Sequence, residues 1–226
     1  MLGEPHIVKR TYSSFTFFED DSDYSTQLHN YLTDENEIRE PLENVNRNNI
    51  NDALTLELAL FFDETGYNIF SPFFDKNDEK IIDMLLAYIN GVQAIYHHPS
   101  LGIAIDISLV RLEIMQKQPR VLPHHDGERG KLLDSFCNYA MKENPEDEFH
   151  PNHWDMGLYV SGLDFYVVEA GQKNSATMGL AVVGGLCIKQ YSCVIAELGV
   201  TNQFGKPFPS AGFTSVYIAA HEIGHK

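Results

Sequence analysis

The stretch GFTSVYIAAHEIGHK, Gly212 to Lys226, decides how the chain is read. Its first half is apolar at helical spacing. Its second half holds His221, Glu222 and His225 in the pattern H-E-x-x-H. On an α-helix, residues i and i+4 lie one above the other, so both imidazoles can reach one ion. Glu222 is turned about 100° round the axis, which places it beside that ion rather than on it. Two imidazoles flanked by a carboxylate suit catalytic zinc. His221 and His225 would hold the metal, and Glu222 would hold and deprotonate a zinc-bound water. The apolar lead-in SVYIAA would bury the helix and leave the ligand face looking into a cleft. The competing reading is an amphipathic helix end with two surface histidines. Catalytic zinc generally takes three protein ligands, so two imidazoles do not finish the site.

Upstream, the pattern alternates. TLELALFF (55–62) reads as a buried strand, and the polar DETGYN (63–68) as a turn. DKNDEKIIDMLLAYINGVQAIYHH (75–98) places Ile81, Met84, Leu85, Tyr88, Val92 and Ile95 at helical spacing, with Asp75 or Asn77 as cap and Pro99 as stop. IAIDISLVRLEIM (103–115) reads as a strand, and GERGKLLDSFCNYAMKEN (127–144) as a helix ending before Pro145. Segments 155–165, 179–185 and 193–198 read as strands, and 212–226 as the final helix. Helices alternating with apolar strands predict a layered α/β sheet, with helix 75–98 as a right-handed crossover between the first two strands.

The chain has 226 residues, 43% of them hydrophobic, enough for one sizeable core. Its formal net charge is −16 and its pI about 4.9. Nucleic acid and anionic membrane would repel such a chain, so neither is expected as a partner. No apolar run reaches the ~18 residues of a membrane span. MLGEPHIVKR lacks the pattern of a signal peptide, so either the protein is cytosolic or its N-terminus lies upstream. Residues 1–52 hold four Lys/Arg against eleven Asp/Glu, and the acidic, Asn-rich part reads as a linker. Lys9-Arg10 is either a pair of surface charges or a processing site. Cys137, Cys187 and Cys193 are an odd number, so at least one lacks an internal partner. Three buried thiols in a reducing compartment remain open on that count.

From Thr55 onward the chain resembles the catalytic domain of reprolysin/adamalysin-type zinc metalloproteases. It is most similar to the branch with thrombospondin motifs and to secreted arthropod venom and salivary enzymes. The resemblance is carried by TLELALFFDETGY, IYHHPSLGIAIDISLVRLEIM, LLDSFCNYAMKENPEDEFHPNHWDMGLYVSGLDF, TMGLAVVGGLCIKQYSCVIAELG and YIAAHEIGH, in that order. It implies a three-layer metzincin fold: a twisted, mostly parallel sheet with an antiparallel edge strand and an active-site helix. It also implies a secreted, extracellular endopeptidase acting on protein or peptide substrates, with a venom or salivary toxin role among the options.

The resemblance implies residue roles too. Cys137 would pair with Cys193, and Cys187 with a downstream cysteine. Glu57 and Asp155 would hold calcium, with Asp164 nearby. Gly179, Leu180 and Ala181 would form the edge strand along which a peptide lies. Residues 1–10 resemble the end of a pro-region, 11–52 would be the acidic linker, and 53–226 the catalytic domain. The family's third zinc ligand, a His six residues after the second, would fall past Lys226. The expectation is therefore a catalytic domain without its C-terminal subdomain. Two alternatives stand beside it: a protease-derived binding protein without activity, should the chain end at Lys226, and a cytosolic gluzincin. Trp154 and His97, His98, His124, His125, His150 and His153 are expected on the surface or in packing.

Overall fold

LTLELALFF forms the central strand β1 (Leu54–Phe62) and is buried on both sides. Successive strand residues face opposite ways, which sorts its side chains. Leu56, Leu58, Leu60 and Phe62 enter one core, and Ala59 and Phe61 enter the other. A strand covered on both faces reads as a continuous apolar run rather than an alternating one.

This computed structural model describes residues 54–201 and 204–226. The expected pro-region end (1–10) and acidic linker (11–52) lie outside the described residues.

The elements follow in chain order. After β1 come α1 (Glu64–Phe70), a 3₁₀ turn (Ser71–Phe74), α2 (Asp78–Tyr96) and β2 (Ile105–Ile114). Then come α3 (Arg129–Glu143), β3 (Met156–Ser161), β4 (Val167–Glu169), β5 (Gln172–Asn174), β6 (Gly179–Ala181), β7 (Cys193–Glu197) and α4 (Ser215–Gly224). The five-stranded sheet has the order β2-β1-β3-β7-β6. Its first four strands are parallel, and β6 runs antiparallel at the edge. Helices α2 and α4 cover one face and α3 the other, giving the expected three layers.

Capping explains why the helices start where they do. The Asn77 side chain accepts from Glu79 N (2.9 Å) and Lys80 N (3.3 Å), and Asp78 and Glu79 place negative charge in the first turn of α2. The Glu128 carboxylate does the same for α3, accepting from Gly130 N and Lys131 N at 3.1 Å each.

The polar segment 63–68 is not a turn but the start of α1. Asp63 is fully buried and caps this helix, accepting from Gly66 N at 2.6 Å. It also accepts from Gly162 N (3.1 Å) and Ser161 Oγ (2.6 Å), which ends β3 four residues earlier than expected. Gly66 permits this packing, because a Cβ there would lie 2.5 Å from the Phe62 ring. Strand β6 also stops early, at Ala181, because Gly184 N turns to donate to His225 O at 2.7 Å. The β4–β5 hairpin was not anticipated. Its turn uses Ala170 (φ 47°) and Gly171 (φ 79°), a left-handed pair without the Asn-Gly signature.

At the opposite sheet edge, Gln93 of α2 shields β2. Its Nε2 donates to Ile105 O at 2.8 Å, and its Oε1 accepts from Ile107 N at 2.5 Å. A parallel neighbour would bond those same two backbone groups, so the side chain stands in for a strand and blunts the edge. Among the described residues, no helix is long and apolar enough to cross a membrane.

Candidate metal centre

Helix α4 carries His221 and Glu222, and His225 caps its C-terminus. Val216, Ile218, Ala219, Ala220 and Ile223 anchor the helix in the α2/α4 core. Polar ties fix its position along the axis. Tyr88 Oη donates to Ser215 O at 3.0 Å, and Tyr96 Oη donates to Ala220 O at 2.8 Å. Burial pushes the Tyr96 phenol up to about 12, so it remains a donor at neutral pH. Ser215 Oγ also donates to Glu197 O, joining the helix to β7.

The anchoring leaves one face of the helix end outward. His221 is exposed and His225 half-buried, and their Nε2 atoms lie 2.9 Å apart. Two imidazole nitrogens at that separation can both sit about 2.0–2.1 Å from one zinc ion, supplying two of the three protein ligands that catalytic zinc generally takes. Among the described residues, no three His, Cys, Asp or Glu side chains gather as a metal-binding group.

Glu222 is buried, with 7% of its surface exposed, against the first residue of β6. A Cβ on Gly179 would lie 2.5 Å from Glu222 Oε1, so only glycine lets the carboxylate and the strand approach this closely. Gly179, Leu180 and Ala181 pair on one side with Ala196, Ile195 and Val194. Strand β6 ends the sheet order, so its other side has no β-partner among the described residues.

Lys226 lies beside this group. Its Nζ donates to Val182 O at 2.9 Å and to Tyr191 O. Burial lowers its ammonium to about 7, while the nearby Glu222 charge acts in the opposite direction.

Glu197, at the end of β7, holds the segment that leads into α4. Its carboxylate accepts from Phe165 N at 2.6 Å and from the buried Ser210 Oγ at 2.7 Å. Burial raises it from an ordinary 4.5 to about 8. The folded state therefore keeps a proton that the unfolded chain loses at lower pH. The stability this contributes is full below about 4.5 and is lost as pH rises through about 8. The thermal midpoint is expected to fall between pH 5 and pH 8.5, and to flatten over that range in Glu197→Gln. A wild-type midpoint that holds steady across the range would contradict this.

The remaining expected residues sit elsewhere. Glu57 and Asp155 are neighbours near the N-terminal ends of β1 and β3. Asp155 Oδ2 accepts from Glu57 N at 2.9 Å, and Asp155 N donates to Glu57 O at 2.8 Å. Asp164 does not join them. It follows the C-terminal end of β3, and the six-residue strand between spans about 20 Å. Cys137 of α3 is bonded to Cys193 of β7, with Cα atoms 5.4 Å apart, and Cys187 is an exposed thiol.

Trp154 is packed in the α3 core. The histidines without an assigned role make local contacts. His97 meets Asp106 at 2.7 Å, His125 meets Ser135 at 2.6 Å, and His153 meets Pro145 O at 2.8 Å. His98 and His150 bond within their own turns, and His124 lies 3.7 Å from Asp63.

Sequence reasoning did not single out Lys226 or Glu197. A lone acid in the apolar run CVIAEL was a usable signal for Glu197. A lysine after the second His carries none.

Comparison with known proteins places this geometry in a family. Residues 79–226 match the family described as metallo-peptidase family M12B, reprolysin-like. The chain is 31% identical over 179 residues to "A disintegrin and metalloproteinase with thrombospondin motifs adt-1" of Caenorhabditis elegans, covering 77% of this chain and 11% of that protein. It is 31% identical over 143 residues to the mouse protein numbered 7 in the same series, covering 62% of this chain and 8% of that one. It is 29% identical over 152 residues to the human protein numbered 13, covering 67% and 10%. The chain thus spans about a tenth of the length of these relatives. With the family match covering well over half of its residues, the chain belongs to the reprolysin-like M12B metallopeptidases.

Proposed function

We propose that residues 53–226 belong to the catalytic unit of a secreted, zinc-dependent endopeptidase. The observation that carries this is one juxtaposition. Two imidazole nitrogens 2.9 Å apart share a helix end with a carboxylate that backs onto the edge strand. The relatives are named metalloproteinases, which supports the same reaction class.

His221 and His225 are the residues that would hold the ion. When bound, zinc polarises a carbonyl and brings the pKa of a water near neutrality. Glu222 takes the proton of the attacking water at its carboxylate and returns it to the leaving amine. The unpaired side of β6 receives the substrate backbone as an added strand, so a peptide bond is presented beside Glu222. The disulfide between Cys137 and Cys193 supports an oxidising, extracellular compartment. In this reading residues 1–10 end a pro-region and 11–52 connect it to the catalytic unit. Calcium at Glu57 and Asp155 belongs to the same reading, supported by their adjacency.

The test is chelation. Hydrolysis of a quenched-fluorescence peptide pool is expected to stop with 1,10-phenanthroline and to return with added zinc but not magnesium. Hydrolysis that persists in the chelator would sink the assignment.

A further inference from the structure

We infer that Lys226 is a positioning residue whose ammonium clamps the two ends of the 182–191 loop, fixing the cleft wall that continues β6 beside Glu222. This rests on the proteolytic reading of the site.

The loop leaves β6 at Val182 and rejoins the sheet just before β7. It is folded on itself by Gly185 N to Val182 O (3.2 Å), Ile188 N to Gly185 O (3.1 Å) and Tyr191 N to Ile188 O (2.7 Å). Those bonds shape the loop but do not attach it to the helix. Attachments to the end of α4 include two, through Gly184 and Lys226. Gly184 N donates to His225 O at 2.7 Å, and Lys226 Nζ donates to Val182 O and Tyr191 O.

The two lysine acceptors are the carbonyls at the mouth of the loop, one at each end. A single charged donor therefore closes the loop and ties it to the helix that carries His221, Glu222 and His225. Bonds from a charged donor are about twice as strong as neutral ones. The Lys226 side chain is partly buried between the helix end and the loop.

A peptide laid along β6 and running past Ala181 meets this wall at Val182 to Gly184. The wall's distance from the Glu222 carboxylate decides how well the peptide seats. The carboxylate itself stays on α4, held from the other side by the core. Loosening the wall should weaken substrate binding more than it slows the proton transfer.

Lys226→Met keeps the apolar stem and removes the donors, and Lys226→Arg restores them. In Lys226→Met, amide exchange at Gly184, Gly185 and Ile188 is expected to quicken at least tenfold. KM for the peptide pool should rise about tenfold with kcat within twofold. Lys226→Arg should recover most of both. Unchanged exchange overturns the clamp, and faster exchange with unchanged KM overturns the positioning role. A wild type that hydrolyses no peptide would overturn the protease reading instead. The exchange measurement would then still judge the clamp: faster exchange supports it and unchanged exchange rejects it.

Discussion

Replacing Glu222 with Ala is expected to lower kcat for peptide hydrolysis by about a hundred- to ten-thousand-fold, the range of a general acid–base group. That corresponds to roughly 3–5 kcal/mol of barrier. The protein should fold and bind zinc as before. Alanine is the best helix former, and position 222 lies inside α4. The helix is held by Val216, Ile218, Ala219 and Ile223 in the core, and by the Tyr88 and Tyr96 hydroxyls at the backbone. None of those contacts involves the Glu222 carboxylate.

The two imidazoles sit at i and i+4, so their convergence is a property of the backbone and survives the change. Removing the carboxylate opens a small space against Gly179, where the strand and the acid now touch. That space could admit water but supplies no base. The measurement is kcat on the peptide pool alongside metal content by mass spectrometry. Two outcomes would defeat the assignment. Hydrolysis within tenfold of wild type would show that Glu222 is not the base. Loss of zinc together with activity would show that it serves the metal instead.

Much of the fold was legible because its signals are local. β1 is covered on both faces, so its burial appears as an unbroken apolar run. α2 declares itself by spacing and by the Asn77 cap, and α3 by the stop before Pro145. What stayed hidden depends on contacts distant in sequence. α1 follows a buried Asp63 whose partners Ser161 and Gly162 lie about a hundred residues away. The early end of β6 depends on a backbone bond to His225.

The candidate site divides in the same way. The H-E-x-x-H spacing is local and could be read at once. The approach of Gly179 to Glu222 and the reach of Lys226 to Val182 and Tyr191 arise only when β6 and α4 pack together. Glu197 is an intermediate case. An acid inside an apolar strand signals a buried role, but only the fold shows that Phe165 N and Ser210 Oγ satisfy it.

Removing the disulfide between Cys137 and Cys193 should lower the free energy of unfolding by about 4 kcal/mol, as chain-entropy reasoning gives for a closed loop of this length. The bond spans 56 residues of sequence. That segment contains the C-terminal half of α3, all of β3, the β4–β5 hairpin and β6. Without the bond, the unfolded chain gains the freedom of that whole loop, while the folded state keeps its packing. Both half-cystines lie in the core between α3 and the sheet, with Phe136, Ala140 and Ile195 around them. Serine at both positions adds the cost of burying hydroxyls, so Cys137→Ala with Cys193→Ala is the cleaner variant. Cys187→Ser supplies the contrast, because that thiol is exposed and its change should stay within about 0.5 kcal/mol. A single domain typically has only 5–15 kcal/mol of stability, so the double variant should unfold at much lower urea. Urea midpoints of the three proteins, with and without reductant, make the comparison. A double variant within 1 kcal/mol of wild type would mean that packing of α3 on β7 carries the junction alone.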